Sequence, residues 1–454
     1  MQYKRGLFTL LLLLFTTLLA ACAPADGEQP AAEDAGVLIY ASFHPFGVDA
    51  DVRLAIEAFN ESHTDVQIEI RDYWGGDYEE GLQGRQRLIT EISTGNMPDI
   101  LDVGFNCWDV PMLPWRQLAA RGYLVDLWPY IESDPELGRE AVLEAPLKAA
   151  EIDGGLYILF DSFTMQTLAG AERIVGNRTS WTLADQRKAF EAMPEGSTVL
   201  DYIYKKDDVS EILLSMMLDS YIDWEAGTCS FDKKSFRTML EFIEGFPDEV
   251  PWPSDEAVNF EILDRRRSGL QMLYIASVSN LFDVQYMDAI FGEPTSFVGY
   301  PVEDGSVGSA FEPSNTRLVI SASCKNKEAA WEIVRQTILP KYDRAEAARK
   351  ADGIPINMAD YRMVNETLMD PDRPTDQVFG FIDGSTFEAY PATVEDLQRF
   401  EELLYGINRI SLCDGELSAI VKEICGPYFA GDKSLDETVD LIQRRVTLYV
   451  NENR

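Results

Sequence analysis

The hydrophobic pattern of this chain switches repeatedly between the periods of strand and helix. Val37 to Ala41 (VLIYA) is a short β-rich apolar run, which predicts a buried strand. Behind Asp51, the stretch VRLAIEAFNES, marked by Leu54, Ile56 and Phe59, predicts an amphipathic helix with an acidic cap. VQIEI at Val66 to Ile70 alternates and predicts the next strand. The polar loop DYWGGDYEEG then leads into a helix over QRLITEISTG that Gly95 ends. DILDV at Asp99 to Val103 predicts a third strand. Strand, loop, helix and strand in this order imply a mainly parallel sheet with helices on its faces.

The alternation resumes further along. Strands are expected at Gln271 to Ala276, at Ser296 to Pro301 and over RLVISAS, followed by a strongly periodic helix over NKEAAWEIVRQTIL. The Gly/Ser/Pro-rich EDGSVGSAFEPSN and the connector GIPIN at Gly353 to Asn357 suit crossing or hinge segments. From Thr393 onward the pattern is nearly all helical, and no short-period repeat is present.

Composition changes this picture in two ways. The 454 residues are 46% hydrophobic and 26% charged, which fits a globular protein with two or three domains' worth of core. The 39 Lys and Arg against 77 Asp and Glu leave a net charge of −38, so nucleic acid is not an expected partner. Only His44 and His63 are available as imidazoles, and no D-x-[DN]-x-[DN]-G loop closes on a Glu. No metal and no cofactor are expected.

The N-terminus reads as an address. Lys4 and Arg5 precede an uncharged apolar run from Leu7 to Leu19, too short for a hydrocarbon core that needs about 20 helical residues. Leu19-Ala20-Ala21-Cys22 resembles the bacterial lipobox, which implies a signal peptide over 1–21 and lipidation of Cys22. The polar segment to Gly36 then forms a linker over 22–36 that reaches roughly 20 Å. Loss of Lys4 and Arg5 takes the net charge to −40. Five cysteines remain: Cys107, Cys229, Cys324, Cys413 and Cys425. An odd count leaves at least one free thiol. No C-x-x-C is present, buried free thiols are expected, and pairing of Cys413 with Cys425 is left open.

Four stretches in order resemble the extracellular solute-binding proteins of ABC importers, in the carbohydrate-binding branch of family 1. They are STGNMPDILDV, then RGYLVDLWPYI, then SASCKNKEAAWEIVRQTIL with GIPIN after it, and GPYFAGDKSLDETVDLIQRRVTLYVNE. The resemblance implies a periplasmic-binding-protein-like α/β fold, two α/β lobes around a ligand cleft joined by hinge crossings. One lobe would hold 37–160 and 313–352, the other 161–312 and 353–454. It further implies a monomer that delivers a carbohydrate, expected to be an oligosaccharide, to ABC permease transmembrane subunits. The membrane contact would be the lipid anchor.

A sugar presents flat C–H faces ringed by hydroxyls, so its site needs aromatic platforms beside planar hydrogen-bonding groups. Candidates at strand ends are Phe43, His44 and Phe46 in ASFHPFG, and Trp74 in the Gly-rich loop with Asp77 as a weaker companion. Asn106, Trp108 and Asp109 follow the third strand, where the resemblance places ligand-binding groups. Phe163, Thr164 and Gln166 follow YILFDS, and Ser277 and Ser279 follow LQMLYIA. Trp128, Trp224 and Trp252 are expected to pack against structure or lie on the surface.

No catalytic residue is assigned. G-x-S-x-G, H-E-x-x-H and a Walker-type loop are all missing, and 77 acids make any carboxylate pair uninformative for a glycoside hydrolase. A lipid-anchored sensor that presents bound sugar to a membrane receptor would use the same cleft as an importer's receptor.

Overall fold

The computed structural model describes residues 36–453, except 105–112, 202, 225, 251–256, 304, 315, 344–352, 373–377, 381–383 and 413–414. The expected signal peptide, Cys22 and almost all of the expected linker therefore lie outside the described residues, as do Asn106, Trp108, Asp109 and Trp252.

Strand β1 (Val37–Ser42) leads into helix α1 (Ala50–Ser62), then β2 (Gln67–Asp72), α2 (Tyr78–Ser93), β3 (Ile100–Asp102) and α3 (Trp115–Ala120). The cap of α1 is Asp49, whose carboxylate accepts from the backbone N–H groups of Asp51 and Val52; Asp51 sits in the first turn. Helix α2 begins earlier than its apolar period suggests, because Asp77 caps it by accepting from Glu80 N–H. β4 (Leu159–Phe160) and the long β5 (Ser162–Ala171) follow, then α4 (Lys206–Met217) and the small hairpin of β6 (Ile222–Asp223) and β7 (Thr228–Cys229). β8 (Tyr274–Val278), α5 (Leu281–Phe291), β9 (Thr295–Phe297), β10 (Ala310–Pro313), β11 (Arg317–Ile320) and α6 (Lys327–Val334) come next. β12 (Ile354–Pro355) precedes the helical end: α7 (Met358–Leu368), α8 (Val394–Gly406), α9 (Gly415–Phe429) and α10 (Leu435–Asn453).

Two sheets organise these elements. The first has the order β2-β1-β3-β11-β4, with β1 and β3 parallel and β11 antiparallel to both β3 and β4. In the second, β5 pairs antiparallel with β8, β9, β10 and β12. The expected mainly parallel order thus describes β1 and β3 but not the second sheet.

Among the described residues the chain passes between the sheets from β4 into β5 and from β10 into β11, and β12 lies beside these passages. These passages are hydrogen-bonded to one another. Ser314 N–H donates to Ser162 O at 2.8 Å, Ile356 N–H to Asp161 O at 2.9 Å, and Ser314 Oγ to the Asp161 carboxylate. GIPIN lies beside these passages. The glycine-rich run from Gly305 to Ser309 does not; it packs within the second lobe, where Gly299 and Gly308 form an isolated bridge.

Each sheet is covered by apolar helix faces. Val52, Ile56 and Phe59 of α1 and Leu88 and Ile92 of α2 are buried with Tyr40, Ile100 and Leu101. In the second lobe, Leu213 and Leu214 of α4, Val421 of α9, and Val439, Ile442 and Val446 of α10 share a core with Leu168 and Met272. At Gly84 the fit is so close that an added Cβ would lie 1.5 Å from the Tyr73 carbonyl oxygen. Gly84→Ala is therefore expected to destabilise the fold by about 1–3 kcal/mol through overpacking, read as a lowered urea midpoint at unchanged m-value.

Candidate ligand-binding cleft

The first sheet ends on buried charge. Ser42 and Asp102 are register partners at the carboxyl ends of β1 and β3, the edge where ligands of open α/β sheets collect. Asp102 Oδ1 accepts from Gly104 N–H at 3.0 Å, and the backbone N–H of Arg317 also bonds this carboxylate. Gly104 has φ of +70°, and a Cβ there would meet the Phe43 carbonyl oxygen at 2.2 Å. Only glycine lets the two post-strand loops approach this closely.

Arg317, the first residue of β11, is buried as well. Its Nε donates to Ser314 O at 2.7 Å, its Nη2 to Pro313 O at 2.8 Å and its Nη1 to Gly104 O at 3.4 Å. Desolvation pushes this guanidinium down to about 10, against the opposing pull of Glu312 and Asp102. Burial raises Asp102 to about 7, although the two backbone donors and Arg317 work the other way.

His44 and Phe46 stand beside this pair. The His44 Nδ1 accepts from Phe46 N–H at 3.2 Å, which leaves the proton of the neutral ring on Nε2. Burial first, and the Arg317 charge second, lower the His44 pKa and keep the ring neutral. The Phe46 ring is 72% exposed, with its centroid 5.6 Å from the imidazole.

Across the crossing, β5, β8 and β10 present a polar tile. Gln166 lies opposite Ser277, and Thr164 opposite Glu312. Gln166 Nε2 donates to Ser277 Oγ at 3.0 Å and to the Glu312 carboxylate, with Thr164 Oγ1 at 3.4 Å. Ser277 and Glu312 are exposed, Thr164 and Gln166 half-buried. Glu312 is near enough to act on the Arg317 charge, so the tile adjoins the carboxyl edge of the first sheet. An amide, a carboxylate and two hydroxyls on one face can exchange hydrogen bonds with a polyhydroxylated solute.

The structure places the other predicted residues elsewhere. The Phe43 and Trp74 rings are buried and pack on each other, centroids 5.4 Å apart, instead of offering open platforms. The cause is the loop's path: Tyr73 N–H donates to Ser42 O, and Gly81 of α2 lies against the Trp74 ring. Phe163 is likewise a core residue, edge-on to Phe311 at 5.2 Å. Ser279 donates from both N–H and Oγ to Asp283, the N3 residue of a capping box that opens α5. Asp77 caps α2. Trp128 is buried and donates to Glu151, and Trp224 is buried. Cys229, Cys324 and Cys425 are free thiols, and Cys107 and Cys413 lie outside the described residues.

Sequence reasoning missed Asp102, Glu312 and Arg317. For Asp102 and Arg317 the signal was a charged residue inside or at the head of an apolar strand, DILDV and RLVIS, where an unpaired charge is costly; the exposed Glu312 carried no such signal. Among the described residues no group of three or more His, Cys, Asp and Glu side chains could hold a metal, and no helix is long and apolar enough to cross a membrane.

The raised Asp102 pKa sets a sign for stability. The folded state holds this proton where the unfolded chain has released it, so the contribution is present at low pH and lost as pH rises through about 7. Relative to the native protein, Asp102→Asn should gain stability as pH goes from about 5 to about 8 in urea titrations. A difference that stays constant with pH would contradict this.

No family model matches the chain, and no curated protein matches it. Solved structures do. The sugar-binding protein MalE from Xanthomonas citri superposes with a TM-score of 0.54 at 13% identity, covering 92% of this chain and 98% of that one. An extracellular solute-binding protein of family 1 from Alicyclobacillus acidocaldarius gives 0.46 at 14% identity, covering 93% and 100%. The GacH receptor of Streptomyces glaucescens, solved unliganded and with acarbose, gives 0.47 at 14% identity, covering 92% and 99%. With two sheets, chain crossings between them and near-complete mutual coverage, this chain has the MalE-like periplasmic-binding-protein fold of two α/β lobes.

Proposed function

We propose that this chain is a solute-binding receptor that captures a carbohydrate between its two lobes outside the cell and hands it to an ABC permease. The observation that carries the reading is the polar face of Gln166, Ser277 and Glu312, whose Glu312 acts on Arg317 at the sheet edge that also holds His44 and Phe46. An exposed ring beside clustered planar polar groups suits a sugar's apolar face and hydroxyl rim. The similarity of the fold to the sugar-binding protein MalE from Xanthomonas citri supports the substrate class.

On this reading the lobes comprise 37–160 with 313–352 and 161–312 with 353–454, and Asn106, Trp108 and Asp109 complete the site from the first lobe. The solute is an oligosaccharide, the protein is a monomer without cofactor, and it binds its ligand without transforming it. Lipidated Cys22 tethers it to the membrane. Cys22→Ala is expected to move the protein from the membrane fraction to the medium, read by blotting both fractions.

The main test is a thermal-shift screen of residues 37–454 against mono- and oligosaccharides, with amino acids and peptides as controls. A ligand at 100 times its Kd should stabilise by ~2.7 kcal/mol and be recovered intact. Stabilisation by peptides alone would overturn the substrate class, and consumption of the sugar would overturn the receptor reading. Phe46→Ala and Gln166→Ala should each weaken the stabilising sugar by about tenfold, ~1.4 kcal/mol, in calorimetric titration. The exposed Phe46 should change the melting temperature of the ligand-free protein little.

A further inference from the structure

The crossings are not the only bonds between the lobes. Helix α3, which follows the loop after β3, reaches the second lobe from the first. Arg116 Nε donates to Asp219 Oδ2 at 2.8 Å, with only 13% and 11% of the two side chains exposed. Asp219 lies just past the end of α4, so the pair joins segments belonging to different sheets. The Trp115 ring stacks under the Arg116 guanidinium, 4.6 Å from its centroid, and fixes its direction.

Three weaker contacts run along the same flank. Gln117 Nε2 donates to the Tyr449 hydroxyl at 3.1 Å, Arg121 Nη2 to Glu452 O at 3.2 Å, and Arg85 Nη1 to Glu416 at 3.2 Å. All three connect α2, α3 or the residue after α3 to α9 or α10. The Arg121 contact goes to a backbone carbonyl, and in the Arg85–Glu416 pair the carboxylate is half exposed, where screening leaves an ion pair little strength. Arg116 with Asp219 differs because both groups are largely out of water, so separating them exposes an uncompensated charge to a poorly solvating surface.

Next to the pair is a cavity of about 380 Å³ that borrows walls from both lobes: Ala149 and Glu151 on one side, Trp224 and Arg409 on the other. A space walled by both lobes changes volume when they rotate about the crossings.

We propose that Arg116 and Asp219 form a latch that holds the lobes in this arrangement, and that rotation of the lobes requires its release. The latch is set by the protein's own charges and does not depend on which solute the cleft takes. It therefore stands or falls separately from the carbohydrate reading.

The test is an interlobe distance distribution in the ligand-free protein, from spin labels carried by unnatural amino acids at the exposed positions 57 and 440. Arg116→Gln and Asp219→Asn should each broaden or shift the distribution while circular dichroism stays native. The double charge reversal Arg116→Asp with Asp219→Arg should return it toward that of the native protein. Single variants with an unchanged distribution would overturn the proposal, and so would a folded charge-reversed protein that stays as broad as the singles. Should the singles fail to fold, the charge-reversed protein alone decides: a native distribution supports the latch, and a displaced one overturns it.

Discussion

A guanidinium removed from water has to be given acceptors, and Arg317 receives its acceptors from the chain's own crossing. Three backbone carbonyls, at Gly104, Pro313 and Ser314, accept from it, and two of them belong to the segment that carries the chain from one sheet to the other. Its backbone N–H and that of Gly104 in turn satisfy Asp102. This reciprocal arrangement fixes the end of β3, the start of β11 and the passage between the lobes in one network. Losing either charge would strand the partners in a site that water does not reach.

The position of the candidate cleft follows from that network. Because the carboxyl edge of the first sheet is tied to the crossing, the loops carrying His44 and Phe46 stand beside the face of β5, β8 and β10. Because β5 is long and antiparallel to its neighbours, its alternate residues Thr164 and Gln166 turn to one face while Phe163 and Met165 go into the core. The mutual hydrogen bonds of Asp161, Ser162, Ser314 and Ile356 keep the passages together as a narrow waist. Rotation about such a waist needs only a few residues to change their dihedrals, while the flank contact through α3 constrains how far the lobes can go.

Much of the architecture could be read from period and punctuation. VLIYA, DILDV and RLVIS are strands because apolar runs that short have no other way to bury themselves, and α1, α6 and the C-terminal helices show their apolar stripes openly. The antiparallel second sheet was not legible, since strand direction depends on where the chain crosses and no local pattern records that. For the proposed site, His44, Phe46, Gln166 and Ser277 were named from their place after or along strands. Phe43 and Trp74 misled because a Gly-rich polar loop looked solvent-exposed. Its glycines, and those opening α2, instead let a helix settle on the rings. Arg317 and Asp102 were passed over because the eye treats a charge in an apolar strand as an exception, although burial of a charge is the more informative event.

The central claim, that solute is held between the carboxyl edge of the first sheet and the polar face of the second, is tested most directly by hydrogen–deuterium exchange. The comparison is between residues 37–454 alone and with the sugar that raises their melting temperature most. The account predicts new protection in 43–47, 162–167, 274–279 and 310–317 together, from both sides of the crossing at once. Protection confined to one lobe, or appearing only along the outer helices α9 and α10, would contradict it.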